Sequence, residues 1–307
     1  VITVCSLQKS FKDIKAIAGL NLEVREGEIF GIVGPDGAGK STLLRMLSTI
    51  LLPDEGTISL MGKDIFLDTF HVKEKIAYMP QRFGLYEDLT VEENIFFFGK
   101  LFGLRKKEIL NKLPGLYNFS NLEPFKNRLA GKLSGGMKQK LGLACCLVHN
   151  PELILLDEPT NGVDPVSRRE FWKILYDLLA DGVTIVVSTA YLDEAERCSR
   201  VALMYKGNFI RIGSPGEIKS MTGMALLEIL TDDPRRAEEI LKGLPGFGGI
   251  IRTGKSLRLF VEKKTRDRNL IKTSLHKKNI KVKVIREIIP SLEDTFVEVI
   301  AREESAI

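Results

Sequence analysis

The chain has 307 residues, 44% hydrophobic and 28% charged, a balance that excludes a disordered chain and predicts about two folded domains. Its 45 Lys and Arg against 40 Asp and Glu leave a net charge of +5, so neither strong basicity nor strong acidity points to a partner. No apolar run approaches the roughly 18 residues that a membrane-spanning helix needs.

The first part alternates strands and helices. Ile2–Gln8, Leu20–Arg25 and Glu28–Val33 read as strands, and Gly39–Ser48 reads as a helix. Thr57–Leu60 and Ile76–Met79 are further short strands. The pattern then changes. Thr90 with Glu93 three residues on forms a capping box, so a helix is expected through Ile95, Phe96, Phe97 and Phe98. A second follows near Lys106–Leu113, and together they make residues 90–130 a helical insertion. Its Phe run reads as packing, with an exposed docking face as the alternative.

Regular alternation resumes with a helix over Ser134–Val148 and a buried strand at Leu153–Leu156. A helix over Pro165–Leu179 and a buried strand at Val183–Ser188 follow. Strands alternating with helices predict a mostly parallel sheet covered on both faces. The four cysteines show no C-x-x-C spacing. Cys145 and Cys146 fall on a Leu/Ala-rich helix, as core residues in a reducing compartment would. No secretory signal is present, and the chain starts at Val1 rather than Met, as a processed or excised segment would.

A short helix near 214–222 marks a boundary, giving domains 1–222 and 223–307. Beyond it come a strand at Leu226–Leu230, a helix at Pro234–Leu241 and strands at Gly248–Arg252 and Leu257–Val261. A helix at Thr265–Lys278, a strand at Lys281–Ile288 and a last short helix after Pro290 complete the chain. This β-α-β-β-α-β order predicts a small ferredoxin-like α+β domain. It holds 17 basic and 13 acidic residues, nearly all of the positive excess. A solvated face accounts for that bias; contact with phosphates or an anionic membrane surface is the alternative.

Two motifs carry chemistry. Gly34-Pro35-Asp36-Gly37-Ala38-Gly39-Lys40-Ser41-Thr42 follows an apolar strand and opens a helix, the context that G-x-x-x-x-G-K-[ST] requires. Its glycines let backbone N–H groups turn inward around phosphate oxygens, and the helix N-terminus adds partial positive charge. Lys40 supplies a full charge, and Ser41 a hydroxyl for Mg²⁺. The second motif is Asp157-Glu158, at the C-terminal end of a buried strand, where ligands sit in open α/β sheets. Asp157 is suited to hold Mg²⁺, directly or through water, and Glu158 to polarise an attacking water.

Between these motifs lies Leu133-Ser134-Gly135-Gly136-Met137, directly before a helix. With this third motif in that order the chain resembles the ATP-binding cassette (ABC) family, over about Ile2–Gly223. The resemblance implies a P-loop NTPase core of α/β class with an antiparallel β subdomain and a helical insertion. It also implies ATP and Mg²⁺ as ligands, and a head-to-tail pair of such domains. In that pair Ser134, Gly135, Gly136, Met137 and Asp164 would face the partner's ATP, since an outward insertion cannot turn back to its own phosphate loop. Phe11 stands where the family places an aromatic that stacks on adenine. Gln81 matches a glutamine that contacts Mg²⁺ and senses a membrane partner, and Asn161–Asp164 the loop that couples the two sites.

Two positions depart from the pattern. Met137 stands where Gln is common. Ala190, in Val187-Ser188-Thr189-Ala190-Tyr191, stands where the family usually has a His that donates to the γ-phosphate. Ala cannot donate, and loss of one such donor typically costs on the order of 10²–10³ in rate. Either Glu158 suffices for slow hydrolysis, or the site is one of an asymmetric pair.

The L-S-G-G-M-K-Q-K and Y-x-D-E-A-E forms, and the end Pro290–Phe296, most resemble the multidrug, polysaccharide and antibiotic-export branch. The expected function is therefore an ATPase subunit of an exporter. It would sit at the cytoplasmic face of the cell membrane beside an integral membrane permease. The alternatives are a soluble ABC ATPase acting on nucleic acid or ribosomes, for which no long coiled-coil insertion or paired cassette is present, and a non-hydrolysing ATP sensor, against which Glu158 argues.

Overall fold

The computed structural model describes residues 1–221, 223–242, 244, 247–262 and 268–305, and the chain divides into two units, Val1–Ile212 and Gly213–Ile307. The first unit opens with β1 (Ile2–Phe11) and β2 (Ile14–Val24), a long hairpin, then β3 (Ile29–Val33) and α1 (Lys40–Leu47). Next come β4 (Glu55–Leu60), β5 (Lys63–Asp64), α2 (Thr69–Lys75) and β6 (Ile76–Met79). The insertion carries α3 (Val91–Leu101) and α4 (Lys106–Ser120). After it come α5 (Gly135–Leu147), β7 (Leu153–Asp157), α6 (Pro165–Ala180), β8 (Thr184–Thr189) and α7 (Leu192–Ala195). The unit ends on β9 (Arg200–Tyr205) and β10 (Asn208–Gly213).

Six strands form the central sheet in the order β10-β9-β3-β8-β7-β6, and β6, β7, β8, β3 and β9 run parallel. Every residue of β3, β7 and β8 is buried, as expected where both faces are covered. A second, antiparallel sheet has the order β2-β1-β4-β5. It buries Ile2, Val4, Leu20 and Leu22 in one cluster with Leu43, Leu44, Met46 and Leu47 of α1 and with Phe30, Ile32 and Leu155 of the central sheet. The helix that follows the phosphate loop is therefore held between two sheets.

The sequence reading did not anticipate β9 and β10. They are joined by Lys206 and Gly207, both at positive φ, the two-residue hairpin geometry. The helix predicted at Lys106–Leu113 continues through Pro114 to Ser120, because Leu113, Leu116 and Tyr117 remain buried on its inner side. In the Phe run, Phe98 packs on Phe83 with ring centroids 5.1 Å apart, while Phe97 leans on Tyr86 and stays 37% exposed. Cys145 and Cys146 are buried free thiols, and burial pushes Cys146 up to about 12, so neither is a reactive thiolate at neutral pH.

The second unit begins at Gly213, ten residues before the start expected from sequence, because α8 (Pro215–Met221) contacts α11 (Leu292–Ser305) at the other end of the chain. Thr222 lies outside the described residues. Between these helices lie β11 (Met224–Thr231), α9 (Pro234–Leu241), β12 (Phe247–Thr253), β13 (Ser256–Glu262), α10 (Arg268–His276) and β14 (Val282–Ile288). The expected start of α10, Thr265–Asp267, is also outside the described residues.

The four strands are antiparallel in the order β12-β13-β11-β14, a ferredoxin-like topology. Ala225, Leu227 and Ile229 alternate onto the α9 and α10 face. Arg258, whose register neighbour is Glu228 on the other face, meets Asp294 of α11 at 2.9 Å. The last helix is four turns long rather than short, since Leu292, Phe296 and Val299 repeat at helical spacing and are all buried.

Two stability predictions follow from these ties. The Thr90 hydroxyl accepts from Glu93 N and the Glu93 carboxylate accepts from Thr90 N. Thr90→Ala should cost about 1 kcal/mol, read as faster hydrogen exchange of the first-turn amides of α3 by about fivefold. Asp294→Ala removes both the Arg258 partner and the cap that accepts from Ser291 N and Oγ. It should destabilise the second unit by about 2–3 kcal/mol in urea unfolding.

Candidate functional site

The phosphate loop leaves the buried end of β3 and closes onto α1. Gly39 caps that helix at φ 109°, and a Cβ there would stand 2.5 Å from the Ala16 carbonyl oxygen, so only glycine fits. No side chain caps α1, and the first-turn N–H groups, which have no partner within the helix, face the loop. Lys40 is only 4% exposed. Its Nζ donates to the Gly34 and Pro35 carbonyls at 2.8 and 3.1 Å and stands 3.0 Å from Glu158 Oε1. The loop is thus drawn around one buried cation.

The acidic pair is placed by strand register. β7 and β8 pair so that Asp157 lies opposite Ser188. Asp157 Oδ1 accepts from Ser188 Oγ at 2.7 Å and from Ser41 Oγ at 2.9 Å, and Oδ2 accepts from the Tyr78 hydroxyl at 3.3 Å. Burial first, and then the Asp157 charge, push the Tyr78 phenol up to about 12, so it remains a donor at neutral pH. Glu158 adopts φ 46° and turns the chain out of the sheet, with its N–H on Ser188. Its carboxylate swings away from Asp157. Oε2 accepts from Gln81 Nε2 at 3.0 Å and from Asn161 Nδ2 at 3.3 Å, while Oε1 faces Lys40.

Of these groups Lys40, Ser41, Gln81, Glu158 and Asn161 line one cleft of about 600 Å³, together with Asp36, Gly37, Gly39 and Thr42 of the loop and Ile14, Lys15, Ala16 and Lys206. Asp157 is buried and joins it through the hydrogen bond from Ser41. The arrangement offers backbone N–H groups and ammonium for phosphates, beside hydroxyl, amide and carboxylate oxygens for a hard divalent cation. A slightly larger cleft, about 660 Å³, lies near the opposite ends of these strands among Asn150, Glu152 and Thr184, but no Lys or Arg lines it.

Other candidate residues stand apart from this cleft. Phe11 is half exposed at the end of β1, with the Lys9 ammonium 5.8 Å from its ring, and Ile14–Ala16 rather than Phe11 line the cleft. Ser134 caps α5 by accepting from Met137 N, and Asp164 caps α6 by accepting from Val166 N and Ser167 N. A Cβ on Gly136 would stand 2.4 Å from the Ser167 side chain, so the starts of α5 and α6 are packed together. Ser134, Gly135 and Asp164 are exposed, and none lines the cleft that holds Lys40. Ala190 is exposed between Thr189 and Tyr191.

Sequence reasoning missed Ser188 and Tyr78 as partners of Asp157, Asn161 as a partner of Glu158, and Lys15 and Lys206 at the rim. Asn161 and Ser188 fall in segments that the resemblance singles out for other roles, and no local motif marks Tyr78, Lys15 or Lys206. Ser188 reaches Asp157 through strand register, and Lys206 arrives on the β9–β10 turn, where Gly207 N donates to the Ala38 carbonyl.

Residues 17–161 match the ABC transporter family model. The chain is 41% identical over 305 residues to the probable multidrug ABC transporter ATP-binding protein YbhF of Escherichia coli K12, covering 98% of this chain but 52% of that relative, so it spans about half of YbhF. It is 35% identical to the Nod factor export ATP-binding protein I of Rhizobium sp. strain N33, covering 98% of this chain and 97% of that protein. Among solved structures, a dimeric ATP-binding cassette in a post-hydrolysis state, bound to ADP and Pi, matches with a TM-score of 0.64 and 27% identity, covering 70% of this chain and 98% of that one. The order of its motifs, the parallel sheet that gathers them and these similarities together mean that the chain belongs to the ABC transporter family of ATP-binding proteins.

Proposed function

We propose that the chain binds and hydrolyses ATP to energise an ABC exporter, through a nucleotide-driven pairing of two cassettes. The observation that carries this reading is the convergence of Lys40, Ser41, Glu158 and Gln81 on one cleft, with Asp157 buried behind Ser41 and accepting from its hydroxyl. The names of YbhF and of the Nod factor export protein support export as the process served.

The residues assign the work as follows. The loop N–H groups and Lys40 bind the β- and γ-phosphates. Lys40 now faces Glu158 Oε1, so an entering triphosphate exchanges one set of oxygens for another around the same buried ammonium. That exchange releases Glu158, still held by Gln81 and Asn161 through Oε2, to accept a proton from the attacking water. Ser41 and Asp157, with Gln81, are the groups that would hold Mg²⁺, which when bound neutralises charge on the β- and γ-phosphate oxygens. Tyr78 and Ser188 keep Asp157 aimed at the cleft. Ser134, Gly135, Gly136, Met137 and Asp164 serve the ATP of a second cassette, in keeping with the exposure of Ser134, Gly135 and Asp164 and with the absence of all five from the lining of the chain's own cleft.

No helix among the described residues is long and apolar enough to cross a membrane. The transport pathway is assigned to a membrane partner, which holds the chain at the inner membrane face. The second unit, residues 213–307, is assigned an accessory role. A second reading, the less active half of an asymmetric pair, is favoured by Ala190, which removes a donor to the γ-phosphate.

Glu158→Gln should lower phosphate release at least 100-fold while ATP affinity holds or rises, because Lys40 loses its competing carboxylate. Both are read by phosphate release and fluorescent-nucleotide titration, and wild-type turnover in this variant would overturn the assignment. Ala190→His should raise turnover by about 100-fold in the full chain, the lower end of the usual worth of one such donor. Full wild-type turnover with no gain from that change counts against an impaired site.

A further inference from the structure

Glu194 has no place in the chemistry above, yet it is the most completely enclosed carboxylate near the site, 0% exposed in α7. A buried carboxylate without partners costs several kcal/mol, so its partners identify what it is for. They come from three separate segments. Oε1 accepts from Thr160 Oγ1 at 2.5 Å, two residues after Glu158. Oε2 accepts from Thr189 Oγ1 at 2.8 Å, next to Ala190. Arg168 Nε of α6 stands 3.3 Å from Oε1, close enough to pair in charge though not aligned as a hydrogen bond.

Each contact leads on to working backbone. The Thr189 hydroxyl also accepts from Tyr191 N at 3.0 Å, which folds the loop tightly around Ala190. The Thr189 carbonyl accepts from Gly34 N at the start of the phosphate loop. Thr160 O accepts from Val163 N, and Asn161 N donates to Glu158 O, so Thr160 lies inside the turn that runs from Glu158 to Asp164. Arg168 N donates to Asp164 O, and its guanidinium lies over the Tyr191 ring at 4.4 Å. One carboxylate therefore joins the loop 189–191, the turn 158–164 and the first turn of α6.

We propose that Glu194 is a positioning residue that locks the turn after Glu158 to the loop around Ala190, so that the two move as one piece when Asp164 meets a partner. The inference rests on the ATPase reading for its effect on turnover, but the coupling itself does not need turnover. In a chain with Ala at position 190, the loop is held by this buried carboxylate and by backbone rather than by a side chain at 190.

The test uses the full chain with Glu194→Gln and Thr160→Val, alone and together. Gln keeps the shape but removes the charge that faces Arg168 and replaces one acceptor with a donor, so one threonine hydroxyl loses its acceptor and must turn to accept instead. Thr160→Val removes the turn's contact alone and leaves the Thr189 contact in place. Hydrogen–deuterium exchange is followed in segments 158–164 and 186–195, with kcat and KM for ATP and the melting midpoint alongside. In Glu194→Gln, exchange should rise about tenfold or more in both segments, and kcat should fall about tenfold with KM within threefold. The double variant should be no worse than Glu194→Gln alone, because both changes break one link. A rise confined to one segment, fully additive losses of kcat, or KM and melting midpoint moving in parallel with kcat would each overturn the proposal in favour of simple stabilisation. A wild-type chain that binds no ATP would refute the proposed function, while the exchange result would still decide the role of Glu194.

Discussion

The site depends above all on the parallel pairing of β7 with β8. That register sets Asp157 opposite Ser188 and makes both strands end together at one edge of the sheet. Side chains alternate along a strand, so a slip of one residue would turn Asp157 into the packing and bring Leu156 to the cleft. Burial on both faces resists such a slip, because Leu153 to Leu156 and Ile185 to Val187 have apolar neighbours above and below. The hydroxyls of Ser41 and Ser188 then converge on a carboxylate whose direction the sheet has already decided.

The second organising feature is the buried Lys40. An ammonium so enclosed needs anionic or carbonyl partners at every stage. Here it has two loop carbonyls and Glu158. The same carboxylate that is assigned to polarise water is thus tied to the group assigned to bind phosphate, and nucleotide entry acts on both at once. Gln81 and Asn161 keep Glu158 within the cleft when Lys40 turns to another anion. Glu194 extends this logic a layer further out, since it fixes the backbone on which Glu158 and Ala190 stand.

The main motifs were legible because each is local. The phosphate loop, the acidic pair and the Thr90–Glu93 capping box need only neighbours in sequence, and the hydrophobic runs of β3, β7 and β8 announce strands buried on both faces. The strands β9 and β10 were not legible in the same way. Arg200–Tyr205 carries a buried apolar centre, residues 201–204, but polar ends and no motif beside it, and parallel pairing with β3 makes it a sheet strand. The last helix is longer than its sequence suggests because it is buried through contacts with α8 and β12, both more than 35 residues earlier in the chain, and Asp294 is tied to Arg258 of the same sheet. Phe11 was assigned by resemblance, and the cleft rim instead carries Ile14, Lys15 and Ala16.

The sequence by itself determined the kinds of chemistry present: a glycine-rich loop able to wrap an anion, a lysine and hydroxyl at a helix start, two carboxylates at a strand end, and an alanine where a donor is usual. Each follows from residue type and short spacing, which the chain carries without folding. The tertiary structure alone decided which carboxylate oxygen meets which donor, that Lys40 pairs with Glu158, and that Glu194 joins three distant segments. One of those contacts, Ser41 to Asp157, joins residues 116 apart, and only the packed, registered sheet brings such separated groups within hydrogen-bond distance.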